Sequence, residues 1–113
     1  MSDIITYDEF KQVDIRSGTV VKAETFPEAR RSALKLWIDF GLDIGIKKSS
    51  AQITQHYTPE ALLGTQVMAV VNFPPKQIGP FMSECLVLGF EDENGDIILS
   101  SPRSSVPDGK QML

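Results

Sequence analysis

The sequence predicts an all-β domain, a small barrel of five or six coiled strands that carries only two short helices. Three observations lead there. Ala33–Phe40 alternates cleanly, placing Leu34, Leu36, Ile38 and Phe40 on one face, the period of a half-buried strand. Val67–Val71 and Cys85–Leu88 are continuous apolar runs, too short for helices and suited to strands with little water on either face. Helix-start signals occur at only two places, and each is followed within a few residues by strand pattern or by glycine. With 113 residues, 42% of them apolar, and no low-complexity block, residues 1–113 are expected to form one domain that buries roughly two-thirds of its unfolded surface.

Thr6 and Glu9 have the spacing of a capping box, and Ile5 and Phe10 fall at the two positions of a hydrophobic staple. A helix therefore starts here, but it ends by Gln12 because Val13–Ala23 reads as strand. So short a helix is marginal alone and has to lean on something through Ile4, Ile5, Tyr7 and Phe10. Its own barrel and a second copy of the chain both qualify. The reading favours the second copy, with Ile5, Tyr7 and Phe10 at a dimer interface.

The first strand alternates from Asp14 to Thr25, with Ile15, Thr19, Val21 and Ala23 on one face and Asp14, Arg16, Lys22 and Glu24 on the other. Gly18 sits where a long curved strand would bulge. Phe26–Arg30 is a turn-rich break, after which Lys35, Trp37 and Asp39 point outward by parity. Gly41–Gly45 turns the chain into a third strand, Ile44–Ile53, expected to hold Ile44 and Ile46 inward and Lys47 and Ser49 outward. Thr58, Pro59 and Glu60 open a second short helix, which Gly64 closes at C′. The two apolar runs follow, joined by Asn72–Met82. Asp92–Asp96 holds the Asn-Gly hairpin signal, Ile97–Leu99 returns as its partner, and Pro102–Leu113 reads as a turn and tail. A helix between the third and fourth of five or six coiled strands is the arrangement of an OB-fold, a five-stranded Greek-key barrel, here with short helices at the N-terminus and between strands 3 and 4.

Composition excludes several functions. A net charge of −4 and a pI of about 4.9 leave no global attraction for nucleic acid, so such binding needs a local basic patch. The basic residues gather at Arg30–Lys35, Lys47–Lys48 and Lys76. One cysteine, Cys85, excludes an internal disulfide and suits a reducing compartment. No apolar run reaches the length of a membrane span, and Met1–Tyr7 is acidic and unlike a signal peptide. A cytoplasmic protein without membrane insertion is expected. His56 is the lone histidine, no His/Cys/Asp spacing suggests a metal, and no nucleophile elbow or phosphate-cradling glycine loop occurs. No enzyme, metal or cofactor is expected.

Binding remains. Asn72–Met82 contains Phe73, Pro74, Pro75, Ile78, Pro80, Phe81 and Met82, too apolar for an ordinary solvated loop. It either folds back as a lid on the core or forms a pocket. Lys35, Trp37, Lys47 and Ser49 share the outward face of strands 2 and 3, the ligand face of an OB-fold. An aromatic beside cations suits stacked bases or an apolar peptide side chain, and equally a tryptophan covered by lysine stems. Ser50 and Gln52 offer hydrogen-bond groups where a peptide backbone would run. Asn72 reads as a turn cap or a ligand contact. Lys76 would hold a carbonyl or a phosphate, and Ser83 and Glu84 would contact ligand or serve structure alone, Glu84 by fixing Lys47 or Lys48.

Asp14-Ile-Arg-Ser-Gly18, Phe26-Pro-Glu-Ala29, Ile38-Asp-Phe-Gly41, Ser49–Thr54, Val70–Pro75 and Ser83-Glu84 together resemble the tRNA-binding OB domain. That domain is found as the C-terminal appendage of some methionyl-tRNA synthetases and as free-standing dimeric proteins. Lys47–Gln52 and Asn72–Leu88 are most similar to its CsaA branch, described as export-related chaperones. Cys85-Leu86 stands where tRNA-binding relatives usually carry Gly-Met. The resemblance implies a homodimer that binds unfolded or precursor polypeptides without ATP, in an apolar pocket rimmed by Lys35, Lys47, Lys48 and Lys76, with export machinery as a possible partner. Binding of tRNA on the same face is the alternative.

Overall fold

The computed structural model describes residues 2–113. In chain order the elements are α1 (Tyr7–Lys11), β1 (Ile15–Thr25), β2 (Leu34–Asp39), β3 (Ile46–Ala51), α2 (Pro59–Leu62), β4 (Gln66–Val70), β5 (Lys76–Ile78), β6 (Phe81–Ser83), β7 (Leu86–Val87), β8 (Gly89–Glu91) and β9 (Ile97–Leu99). Five of them form one sheet in the order β3-β2-β1-β4-β7, with β5–β6 and β8–β9 as separate hairpins. The sheet rolls until β3 and β7 meet, giving the nearly closed, mostly antiparallel barrel of an OB-fold. Its core is Val20, Leu36, Ile38, Phe40, Leu62, Val67 and Ala69 with their neighbours. Among the described residues no helix is long and apolar enough to cross a membrane.

Both helices start as their sequences dictate. Glu9 N–H donates to Thr6 Oγ1 (3.2 Å) and Thr6 N–H to Glu9 Oε1 (3.0 Å). Ala61 N–H donates to Thr58 Oγ1 (3.3 Å), and Gly64, at φ +81°, closes α2. α1 buries none of its residues; Ile4, Ile5 and Tyr7 are exposed and Phe10 is half-buried.

β1 serves two partners, pairing with β4 through Ile15–Thr19 and with β2 through Thr19–Thr25. Gly18 lies at the bend because the space belongs to others: a Cβ there would sit 2.6 Å from Ile38 Cγ2 and 2.8 Å from the Phe40 ring. The bulge, however, falls between Val20 and Lys22. It turns Val20 inward and leaves Val21 exposed, against the expected face for Val21. A bulge adds one residue to one strand and so shifts the parity beyond it.

β3 corrects a second phase. Ser49, expected outward, is 1% exposed, whereas Ile46, expected inward, is 57% exposed. Ser49 lies directly opposite Leu36, and Ala51 opposite Leu34; cross-strand partners share a face. Ile44 belongs to the preceding turn, so counting alternation through that turn slips by one residue and flips the strand.

The Pro-rich connection is not a loop throughout. Ile78 pairs with Phe81 and Lys76 with Ser83 around a Gly79-Pro80 turn. Nor is the C-terminal segment a loose tail. Ser17 N–H donates to Lys110 C=O (3.0 Å), Met112 N–H to Ile15 C=O (2.8 Å) and Ser17 Oγ to Pro107 C=O (2.8 Å), strapping it along β1.

Candidate functional site

On the outer face of β2, Trp37 meets Phe81 edge-on at 5.8 Å, and Phe81 meets Phe26 at 5.4 Å. The three rings form a satellite core with Ala33, and Phe81 is buried within it. Lysines cover it. Lys22 Nζ lies 4.5 Å from the Trp37 ring centre, Lys35 5.4 Å from Phe26 and Lys48 5.1 Å from Phe81. Glu24 joins Lys22 (3.4 Å) to Lys35 (3.6 Å). Phe81 is therefore a lid on the barrel, and Trp37 is half-buried under a cation instead of open for stacking, as desolvated rings with cationic covers require.

The barrel seam explains Ser83 and Glu84. Lys48 C=O accepts from Glu84 N–H (2.7 Å) and Cys85 N–H (3.2 Å), and Lys48 N–H donates to Glu84 Oε1 (2.9 Å). One step further along β3, Ser50 N–H donates to Ser83 Oγ (3.1 Å), which reaches Cys85 C=O (3.5 Å). The Ser83 hydroxyl is thus wedged between the two strands. Glu84 holds a backbone amide, not a lysine side chain. Asn72 is likewise spent on structure: Oδ1 accepts from Asp14 N–H (3.0 Å) and Nδ2 donates to Gln12 C=O (2.7 Å).

Beyond the wedge the seam opens into a cleft of about 1110 Å³. Ser50–Ile53 form one wall and Leu86–Gly89 the other, with Ile97 and Leu99 between them. The β5–β6 hairpin contributes Lys76, Ile78 and Ser83, and the β1–β2 turn contributes Glu28, Arg30 and Arg31. The lining is apolar inside and mainly cationic at the rim, the make-up of a site for an apolar ligand with polar handles.

Of the residues singled out from sequence, Ser50, Gln52, Lys76, Ile78 and Ser83 line this cleft. Lys35, Trp37, Lys48 and Phe81 belong to the ring cluster, Ser49 to the core, and Asn72 and Glu84 to the scaffold. The half-buried Lys47 acts electrostatically on the Cys85 thiol. Phe73 and Met82 are exposed outside the cleft lining. The rim expected from Lys35, Lys47, Lys48 and Lys76 is replaced by Arg30, Arg31 and Lys76, because the first three lysines project over rings or beside the seam. Arg30 and Arg31 were visible as a basic cluster, but nothing local shows that their turn faces β7.

The fold also brings His56, Asp92 and Asp96 within 4.8 Å of one another, a grouping no sequence spacing announces. Asp92 Oδ2 already pairs with His56 Nε2 (2.7 Å), and its Oδ1 accepts from Asn94 N–H (2.8 Å) and Asp96 N–H (3.0 Å). Hydrogen bonding from His56, and then from those amides, holds the Asp92 carboxyl below the usual carboxylate range.

A barrel with a capped ligand face and an incompletely paired seam is an OB-fold binding module. Residues 15–111 match the family described as "Putative tRNA binding domain", and the chain belongs to that family. The chaperone CsaA of Bacillus anthracis is 49% identical with a TM-score of 0.91, the match covering 98% of this chain and 100% of that one. CsaA of Picrophilus torridus is 45% identical with a TM-score of 0.89, over 97% and 100% of the two chains. Methionine–tRNA ligase of Porphyromonas gingivalis is 35% identical over 112 residues, which is 99% of this chain and 16% of the ligase. The chain thus spans about a sixth of the length of the curated relatives it matches.

Proposed function

We propose that the chain is an ATP-independent chaperone that holds unfolded or precursor polypeptides in the seam cleft. The observation that carries this reading is the cleft itself, apolar within and rimmed by Arg30, Arg31 and Lys76. It is supported by whole-chain similarity to two proteins described as chaperones. Without a nucleotide site, such a holdase acts by mass action on exposed chain. Residues 1–113 are taken as one domain and the protein as cytoplasmic, with export machinery the partner that receives the cargo.

The test is binding of a fluorescein-labelled, permanently unfolded polypeptide, with labelled total tRNA as competitor. Polypeptide binding is expected to change little between ~50 and ~200 mM salt, whereas binding dominated by phosphate contacts falls steeply over that range. If only tRNA binds, and does so with a steep salt slope, the chaperone reading is wrong. The second reading, tRNA binding, rests on the family match and on Lys22, Lys35 and Lys48 over the ring cluster.

The exposed Ile4, Ile5 and Tyr7 of the α1 region support a homodimer, since three large apolar side chains stand uncovered beside one short helix. Replacing Ile5 and Tyr7 together by glutamate is expected to give particles of 12.5 kDa in sedimentation, against twice that mass for the parent chain. A parent that already sediments as a monomer refutes the dimer.

A further inference from the structure

We infer that the cleft binds its guest by strand addition: an extended apolar segment with acidic residues at its ends pairs through its backbone with the open seam. The inference rests on the polypeptide reading above and specifies how that site works.

The backbone accounts carry it. Phe40 N–H donates to Gly45 C=O (3.0 Å), so alternate residues of β3, through Lys47, Ser49 and Ala51, bond to β2. Lys48 and Ser50 therefore turn their N–H and C=O groups away from β2. On the other wall Leu88 N–H donates to Met68 C=O (2.9 Å). Leu86, which partners Val70, shares that phase, and Val87 turns its N–H and C=O away from β4.

These groups face each other across the seam. Lys48 pairs directly with Glu84 and Cys85, and Ser50 reaches Cys85 only through the Ser83 hydroxyl. The contacts advance in the same direction along both strands, so the next pair is Ser50 C=O with Val87 N–H. There the cleft begins, and neither wall supplies the other with a partner. β3 turns off immediately, with Ile53 N–H donating to Ala51 C=O (3.0 Å). Two edges held apart by a wedged hydroxyl are a template for a third strand. A guest strand satisfies Val87 on one side and Ser50 on the other, and places alternate side chains on the apolar floor.

The rim sets the guest's charge. Arg30, Arg31 and Lys76 are exposed and, among the described residues, take part in no salt bridge, against the single acid Glu28. This cationic surplus favours acidic flanks and disfavours the basic-apolar segments that the lysine count alone suggests.

The test uses a nonapeptide of alternating valine and threonine with glutamate at both ends, and a set in which each amide in turn is replaced by an ester. An ester removes one N–H while keeping the chain's shape. Strand addition predicts at least tenfold weaker binding for one or two central esters and little change at the ends. It also predicts a downfield shift of the Val87 amide proton when the parent peptide binds. If the parent binds but every ester stays within about threefold, the guest is held by side chains; strand addition is then wrong and the polypeptide reading stands. If neither the parent nor an unfolded polypeptide binds, both fail. Equal or tighter binding by a lysine-ended version overturns the charge preference.

Discussion

Native protein is expected to react with an aromatic disulfide reagent at pH 8 at least a thousandfold more slowly at Cys85 than the unfolded chain does. Two causes act together. Cys85 is buried in the core, and that burial pushes its thiol from 9.0 up to about 12; Glu84 adds to the rise and Lys47 opposes it. At pH 8 roughly one native thiol in ten thousand is then ionised, and only the thiolate attacks. The same shift has an alkaline consequence. The unfolded chain loses this proton near 9.0 while the native thiol keeps it to about 12, so stability falls as pH rises through that window, by at most about 1.4 kcal/mol per unit. Cys85→Ala should flatten that slope. Native labelling within tenfold of the unfolded rate would show that Cys85 is not where the seam places it.

Phe40→Ala is expected to destabilise the barrel by about 3–5 kcal/mol, a large share of the ~5–15 kcal/mol that holds a domain together. Phe40 is 1% exposed and the largest fully buried side chain. Its ring fills the space that Gly18 leaves open, and its carbonyl packs against Gly109 of the C-terminal strap. Removing the ring therefore loosens β1, β2 and the strap together, which limits collapse into the cavity. Phe90→Ala is the control, because Phe90 is 76% exposed and surface changes stay within about 0.5 kcal/mol. Urea denaturation gives both values. A cost below about 1 kcal/mol for Phe40→Ala, or equal costs for the two, would mean that the core has been assigned to the wrong face.

Elements whose physics is local were legible in the sequence. The capping box at Thr6 and Glu9, the Thr58 cap with Gly64, the Asn-Gly hairpin and the alternation of Leu34–Phe40 each depend on residues within a few positions of one another, and each stands as read. The OB-fold followed because their order admits few other closures. Phase was lost wherever the chain inserted a residue without a local mark, as at the Val20–Lys22 bulge and the Gly41–Gly45 turn, and with it the faces of Val21, Ile46 and Ser49.

The site divides the same way. Composition showed that the Pro-rich connection was too apolar to be solvated, and it marked Ser50, Gln52, Lys76, Ile78 and Ser83, which do line the cleft. Which of its rings would be sealed was decided by Phe26, distant in sequence but packed edge-on against Phe81. The Ser83 wedge, the unpaired groups of Val87 and Ser50 and the Arg30–Arg31 rim exist only because rolling the sheet brings β3 against β7. A residue's own chemistry and its near neighbours are written in the chain. What faces it across a closed barrel depends on strand pairings over long loops, and those are settled by the fold as a whole.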